Sequence, residues 1–255
     1  MKLTILGCGT STGVPVKGCT CAVCNSSDPH DKRLRTSALV RTDDGMNILV
    51  DCGPDFREQC LRLPTFEQIH GVLLTHEHYD HVGGLDDLRP YSVFGDIPLY
   101  CQSDVARALR VRMPYALVDH VYPGRPRIYL QEIEAGKPFL IGKTEIRPIR
   151  VMHGKLPILG FVIGGKLGYL TDMLTMPDAS FEALRGVDTL IVNALRPKEH
   201  PTHQNVAQAI ETARRVGARQ TFFVHMSHSI GLHDEACAQL PEGMSFAFDQ
   251  MEVEL

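Results

Sequence analysis

The stretch LLTHEHYDHVGG, residues 73–84, places three histidines and an aspartate within six positions, directly after a run of apolar residues. The four side chains are those of His76, His78, Asp80 and His81. The apolar run predicts a short buried strand that ends where the polar residues begin. Imidazole nitrogen and carboxylate oxygen are good ligands for zinc, manganese and iron. We therefore interpret the stretch as a metal-binding loop at a strand end rather than as an exposed histidine-rich loop.

The spacing within this loop predicts two metals. On an extended segment, residues two apart point to one side, so His76 and His78 can chelate one metal. Asp80 and His81 follow where the chain turns toward a helix, and they can serve a second metal beside the first. The two glycines that come next allow the backbone to turn closely there.

Composition limits the class of protein and its substrates. A chain of 255 residues with 44% hydrophobic and 22% charged residues is typical of a globular protein. The net charge of −4 disfavours a long polyphosphate, so a small substrate is expected and nucleic acid is not. No stretch approaches the roughly 20 apolar residues of a membrane span, which predicts a cytoplasmic protein without a membrane segment. The eight cysteines are then expected to be thiols or metal ligands.

A pattern of strands followed by helices occurs twice along the chain. It predicts a single domain over residues 1–255 in which two sheets pack together with helices outside. A long amphipathic helix is predicted over residues 203–216, with Thr202 as its N-cap. A helix is also predicted for GGLDDLRPY. Strands are predicted over residues 2–6, 37–42, 46–51, 144–151, 160–163 and 168–171, and in TLIVNAL and QTFFVH.

The motif THEHYDH resembles the H-x-H-x-D-H motif of the metallo-β-lactamase superfamily. The rest of the chain continues the resemblance in order, with His153 in VMHG, Asp172 in YLTD and His225 in FFVH. Each of these residues ends a predicted strand, and Asp51 in ILVDCG resembles an early aspartate that supports the histidine loop. The resemblance implies a four-layer αββα sandwich of the α/β class, with the metal site at one edge.

The resemblance also implies which residue holds which of two catalytic divalent metals, zinc or manganese. One metal is held by His76, His78 and His153, the other by Asp80, His81 and His225, and Asp172 bridges the pair. Two metals about 3.5–4 Å apart can share a hydroxide and stabilise the attacking and leaving oxygens of a displacement. The diiron redox branch has Glu where this chain has His78, so a redox function is disfavoured.

A second cluster, in KGCTCAVCNSSD, consists of Cys19, Cys21 and Cys24. Three thiols this close together suit a tetrahedral zinc with one further ligand from elsewhere. The segment FVHMSHS suggests His228, which follows His225 by three residues and can reach outward while His225 points into the site. The segments GTSTGVPVKGCTCAVC and HMSH together resemble the PhnP family of phosphodiesterases, and this resemblance implies one structural zinc.

His203 and His200 lie outside both metal sets. In the PhnP and ribonuclease Z groups, a histidine at the position that matches His203 contacts the phosphate. The resemblance therefore implies a catalytic role for His203. It implies that Asp80 also has a catalytic role, in addition to being a metal ligand. A helix N-terminus would also favour an anion. No partner in the sequence is apparent for His30, His70, His120 or His233, which we take as ordinary surface or core residues.

The resemblance implies hydrolysis of a small phosphodiester, such as a cyclic phosphate of phosphoribose, by a hydroxide bridging two metals. One alternative is tRNA 3′ processing of the ribonuclease Z type, which the absence of a basic excess disfavours. Others are thioester or lactone hydrolysis, and a PqqB-like metal protein without turnover, which the complete set of seven ligands disfavours. The sequence is compatible with a homodimer.

Overall fold

A computed structural model of the chain describes residues 1–117 and 124–255, so His120 lies outside the described residues. The strands are β1 (Lys2–Gly7), β2 (Ser37–Arg41), β3 (Asn47–Val50), β4 (Gly71–Leu73), β5 (Ile97–Cys101), β6 (Ile128–Glu132), β7 (Phe139–Ile141), β8 (Thr144–His153), β9 (Leu156–Ile163), β10 (Leu167–Leu170), β11 (Thr189–Asn193), β12 (Gln220–Val224), β13 (Met244–Phe246) and β14 (Met251–Glu254). The α-helices are α1 (Ala22–Asn25), α2 (Phe56–Leu61), α3 (Tyr79–Val82), α4 (Ser103–Arg112), α5 (Pro114–Leu117), α6 (Asp178–Ala183), α7 (Val206–Val216) and α8 (His233–Cys237). 3₁₀-helices cover Pro29–Asp31, Leu85–Phe94 and His228–Ile230.

The strands form two mixed sheets. In the first sheet the order is β14-β1-β2-β3-β4-β5-β6, and in the second it is β13-β12-β11-β10-β9-β8-β7. Strands β3 to β6 are parallel to one another, as are β10 to β13, while the remaining neighbours pair antiparallel. The carboxyl ends of parallel strands share one edge of a sheet, and loops there can bring side chains from several strands together.

Alternating side chains separate the inner core from the outer one. Leu3 and Ile5 of β1 belong to the cluster that both sheets share, whereas Leu6 points to the other face of the first sheet. That outer face packs against α2 to α5, and α7 contributes Ala209 and Ala213 to the core of the second sheet. Fully burying a leucine or isoleucine side chain, such as that of Leu3 or Ile5, stabilises the fold by about 1.5–3 kcal/mol. The helix–sheet–sheet–helix layering confirms the αββα sandwich.

The predicted strands agree with the structure to within a few residues, but the start and N-cap of one predicted helix and the type of another were wrong. Helix α7 begins at Val206 rather than at residue 203, and its N-cap is Asn205, not Thr202. The segment predicted as a helix in GGLDDLRPY is a 3₁₀-helix over Leu85–Phe94, with Pro90 inside it. Proline lacks the N–H that an α-helix interior needs, so Pro90 disfavours a regular α-helix over this segment. Within the described ranges, no helix is both long and apolar enough to span a bilayer.

Asn205 completes a reciprocal cap, and its loss should destabilise α7. Its Oδ1 accepts a hydrogen bond from the Gln208 N–H at 2.9 Å, and its own N–H donates to Gln208 Oε1 at 3.0 Å. We expect Asn205→Ala to lower the free energy of unfolding by about 1 kcal/mol in urea titrations. Thr202→Val is the control and should cost less, because Thr202 Oγ1 contacts His200 rather than a helix N–H. A larger loss in the control would contradict the cap assignment.

Candidate metal centre

Thr75 and Asp51 fix the histidine loop at the end of β4. Asp51 follows β3 and is fully buried, and its carboxylate accepts hydrogen bonds from the Thr75 N–H and hydroxyl at 2.9 Å each. Since that hydroxyl donates to Asp51, its oxygen accepts from Nδ1 of His76, 3.0 Å away. The Nε2 lone pair of His76 is therefore left for a metal. Burial, then the charge of His81, holds the pKa of His76 well below its usual value, which keeps this ring neutral.

The first cluster contains the predicted ligands His76, His78, His153 and Asp172, whose ligand atoms lie within 4.8 Å of one another. Nε2 of His76 is 3.0 Å from Nδ1 of His78 and 3.8 Å from Oδ2 of Asp172. His153 ends β8, and its Nδ1 donates to the Thr202 carbonyl at 3.0 Å. This hydrogen bond orients the ring and leaves Nε2 of His153 as the coordinating atom, as is usual for metal-bound histidines.

The second cluster contains Asp80, His81, Asp172 and His225. Nε2 of His81 is 3.3 Å from Oδ2 of Asp80 and 3.2 Å from Oδ1 of Asp172. Nε2 of His225 is 3.4 Å and 3.3 Å from the same two oxygens. On its other side His81 donates from Nδ1 to Asp51 at 2.7 Å. The same pattern of a backing acceptor therefore orients His81 as it orients His153.

Asp172 belongs to both clusters, with Oδ2 toward the first and Oδ1 toward the second. Burial by itself would raise the pKa of this carboxyl, but the neighbouring His225 and His81 outweigh it and hold the pKa well below its usual value. Asp172 is 2% exposed, so it is an ionised carboxylate within the protein interior. Its two oxygens face different groups of imidazoles, which is the arrangement that a bridging ligand requires.

The donor set fits divalent cations. Ligand atoms bonded at 2.0–2.2 Å in tetrahedral geometry lie about 3.4 Å apart, close to the 3.2–3.4 Å distances around His81 and His225. Nε2 of His81 is buried and makes no hydrogen bond to the described part of the chain, as expected for an atom that faces a cation. Nitrogen and carboxylate ligands favour zinc, manganese or iron over calcium.

The backbone at three of these strand ends is in the left-handed region. Asp51, Asp172 and His225 have φ values of 58°, 55° and 57°. Such a conformation costs roughly 1–3 kcal/mol for a residue with a side chain, and it persists where the surroundings enforce it. Asp51 and His225 directly follow β3 and β12, and Asp172 follows β10 after one intervening residue, so the unusual φ marks where the chain leaves the sheet and enters the site.

His203 lies beside both clusters without belonging to either. Its Nδ1 is 3.9 Å from Oδ2 of Asp172, and its ring centroid is 4.5 Å from that of His153 and 4.9 Å from that of His225. Nδ1 is buried and has no hydrogen-bond partner among the described residues. Burial, and then the charge of His225, lowers the pKa of His203 to about 3. His200 is farther out, with its ring centroid 5.0 Å from that of His203.

Buried polar side chains that sequence reasoning missed hold the Asp172 and His203 loops together. Asn193 ends β11, accepts from the Met173 N–H at 2.7 Å, and donates to the Met173 carbonyl at 3.0 Å. The same carbonyl accepts the Gln204 N–H at 2.9 Å. Met173 directly follows Asp172, and Gln204 directly follows His203. Asn193 therefore fixes the positions of Asp172 and His203 through the backbone of Met173. The only signal in the sequence was an isolated asparagine in the apolar run TLIVNAL.

The predicted cysteine cluster is also brought together. Nδ1 of His228 lies 3.3, 3.4 and 3.5 Å from the Sγ atoms of Cys19, Cys21 and Cys24. In a tetrahedral zinc site with bonds of 2.3 Å to sulfur and 2.0–2.1 Å to nitrogen, these separations are about 3.5 Å. A hydrogen bond from the Cys24 N–H lowers the pKa of the Cys21 thiol to about 6, toward the thiolate that a metal needs. The geometry fits zinc, whose identity stays a prediction.

Comparison with known proteins places this fold and site in a family. A model described as a beta-lactamase superfamily domain matches residues 46–226, and the chain belongs to that superfamily of hydrolases. Within the superfamily it is PhnP-like: it is 40% identical to a structure described as a new diphosphatase from the PhnP family. That similarity covers 99% of this chain and 96% of the other, with a TM-score of 0.90. The resemblance seen in the sequence is thereby confirmed.

Two further proteins are similar to this chain. An octanoyltransferase from Porphyromonas gingivalis is 44% identical over 253 residues, which are 99% of this chain and 51% of that protein. The chain thus spans about half the length of this curated relative. Zn²⁺-bound PqqB from Methylobacterium extorquens is 20% identical with a TM-score of 0.81, over the full length of both chains, and shares the fold.

Cys21→Ser tests the cysteine cluster. Removing one thiolate should release about one equivalent of zinc and lower stability, because structural zinc contributes folding free energy directly. Metal analysis and thermal unfolding of protein purified without added metal measure both effects. Cys60→Ser is the control, since Cys60 is a half-buried thiol that lies outside the cluster. Unchanged zinc content in Cys21→Ser would exclude the cluster as a metal site.

Proposed function

We propose that the chain hydrolyses a small phosphodiester, with two divalent cations, zinc or manganese, held by the two clusters. The similarity to a PhnP-family diphosphatase over nearly the full length of both chains supports phosphorus chemistry. The observation that carries the proposal is His203, a buried imidazole 3.9 Å from the shared carboxylate that is not required as a ligand. A metal protein without turnover has no use for such a group.

When bound, the cations supply a hydroxide nucleophile at neutral pH and offset negative charge that develops at phosphorus. The chain's own residues set the geometry. Asp172 spans the two clusters and fixes their separation. The Thr202 carbonyl and the Asp51 carboxylate hold His153 and His81 in single orientations. Oδ2 of Asp80 faces both His81 and His225, so Asp80 provides an oxygen ligand to the second cluster only.

His203 acts on the substrate rather than on the cations. Its buried Nδ1 faces the shared carboxylate, and the rings of His153 and His225 confine it from two sides. A phosphate group beside these rings is within reach of a hydrogen bond from the imidazole. An anion there also raises the proton affinity of the ring, which allows it to protonate the departing oxygen.

A diphosphate linkage is the second candidate substrate, because the PhnP-family relative at 40% identity is described as a diphosphatase. Each phosphorus of a disubstituted diphosphate carries one negative charge, as in a phosphodiester, but its leaving oxygen belongs to a phosphate instead of an alcohol. A substrate panel separates these classes by comparing a cyclic ribose phosphate, a cyclic nucleotide, a linear diester, a disubstituted diphosphate, precursor tRNA and a thioester. Turnover of the thioester alone would contradict the proposal.

Loss of Asp172 should be the most damaging change to a single ligand. Asp172→Ala removes one oxygen from each cluster at once, and we expect turnover to be lost and not to be restored by excess manganese. Initial rates on a chromogenic phosphodiester measure this. Asp178→Ala, an exposed carboxylate paired with Arg215, is the control and should keep normal rates. Near-normal turnover in Asp172→Ala would remove Asp172 from the site.

His203→Ala should leave metal content and fold intact while lowering kcat more than it raises KM, since the interaction strengthens as charge develops. General acid catalysis contributes about 10²–10⁴-fold, and we expect a loss in that range for a poor leaving group. The loss should shrink with a nitrophenolate leaving group, which needs little protonation.

His200→Ala is the matched control and should have a much smaller effect. An equal loss in His203→Ala on good and poor leaving groups would assign the residue to phosphate positioning. Full activity of His203→Ala on both kinds of substrate would refute its role.

A further inference from the structure

His30, His233 and Asp234 form a third group of potential ligands, separate from the catalytic clusters and from the cysteines. One ligand atom of each residue lies within 4.8 Å of the others. The rings of the two histidines are 5.0 Å apart between centroids. Two imidazoles and a carboxylate are a ligand set for borderline divalent cations such as zinc. We propose that these three residues bind a further divalent cation, with zinc as the expected metal.

The buried member of the group has a nitrogen without a partner. His233 is 7% exposed, and its Nδ1 is buried with no hydrogen bond to any part of the chain that the structure describes. Its other nitrogen, Nε2, lies 3.6 Å from Sγ of Cys237. An unpaired buried nitrogen is destabilising, and a cation bound at Nδ1 would relieve this. Burial lowers the pKa of His233, so the ring is neutral and able to bind a metal.

Neighbouring carboxylates hold the backbone of both histidines in place. The Asp28 side chain accepts the His30 N–H at 2.9 Å, and the buried Asp31 carboxylate accepts the His233 N–H at 2.8 Å. The phenyl ring of Phe248 lies against the His30 ring at 4.2 Å between centroids. The rigid parts of the site therefore exist before a cation binds. His30 and Asp234 are the more exposed members, and rotation of their side chains can shorten the ligand separations toward the roughly 3.4 Å of a tetrahedral site.

The proposed site connects the same two chain segments as the cysteine cluster. His30 lies shortly after the cysteine loop, and His233 lies shortly after His228. Buried Arg33 already joins these segments by donating to the Ser227 and Gly231 carbonyls at 2.8 and 3.1 Å. A cation at the third group would add a second metal link across this junction. With three protein ligands it would keep an open position for water.

Zinc binding by the full chain tests the proposal. Purified wild type and variants are dialysed against the same buffered micromolar Zn²⁺, and zinc per chain is measured by mass spectrometry. We expect Asp234→Asn and His30→Ala each to bind about one equivalent less than wild type, since losing a direct ligand should weaken binding at least tenfold. Zinc should also raise the midpoint of thermal unfolding less in these variants. The control is Glu235→Gln, an exposed carboxylate next to Asp234 that is outside the group.

Equal zinc content in wild type and in both variants would overturn the proposal. The result does not depend on turnover, so it is independent of the proposed phosphodiesterase activity. If a variant fails to fold, side-chain ¹⁵N resonances of wild type decide the question. Added zinc should shift the His30 and His233 ring nitrogens, and ring signals that stay unchanged would also overturn the site.

Discussion

The ionised carboxylate of Asp172, buried where the two sheets meet, is the constraint on which the rest of the site depends. An isolated carboxylate in the interior carries a desolvation penalty of several kcal/mol, and it is tolerated only beside compensating charge or hydrogen bonds. The compensation comes from both halves of the fold, because His81 belongs to the first half of the chain and His225 to the second, at 3.2 and 3.3 Å. The two sheets must therefore meet in one register at this edge. Asp51, Thr75 and Asn193 then act as supports that keep the imidazoles and the carboxylate in this one arrangement.

Much of the site could be predicted from sequence because its residues stand at strand ends, where a change from apolar to polar side chains is a local signal. From that signal we predicted the three histidines and the aspartate of the first loop as ligands. The later ligands were predicted from the family resemblance, in which they follow in the same order. Every predicted metal ligand lies in one of the clusters that the structure forms. The strands could be predicted for the same reason, because the alternation of apolar and polar residues that defines a strand extends over only a few neighbouring positions.

Other features depend on contacts that no local pattern contains. Thr202 and Asn205 are both good N-cap residues, and the choice between them depends on the Thr202 carbonyl being turned toward His153 instead. In the sequence, Asn193 is an isolated polar residue in an apolar strand. Only the structure shows its two hydrogen bonds to the Met173 backbone. His30 and His233 are about 200 positions apart in sequence, and only the packing of the cysteine loop on the segment after β12 makes them neighbours.

The pairing of β14 with β1 has a consequence for how the protein is made. Lys2 and Leu3 pair with Glu254 and Val253, which are synthesised long after them. The edge of β1 that pairs with β14 therefore stays open until β14 has been synthesised, and an open strand edge can pair with other chains. Contacts between such distant positions also form slowly. His225 and His228 also lie far along the chain, so the second catalytic cluster and the cysteine cluster stay incomplete until these residues have been synthesised. A chain that terminates before His225 would therefore lack ligands for these two clusters, and its open β1 edge would favour aggregation.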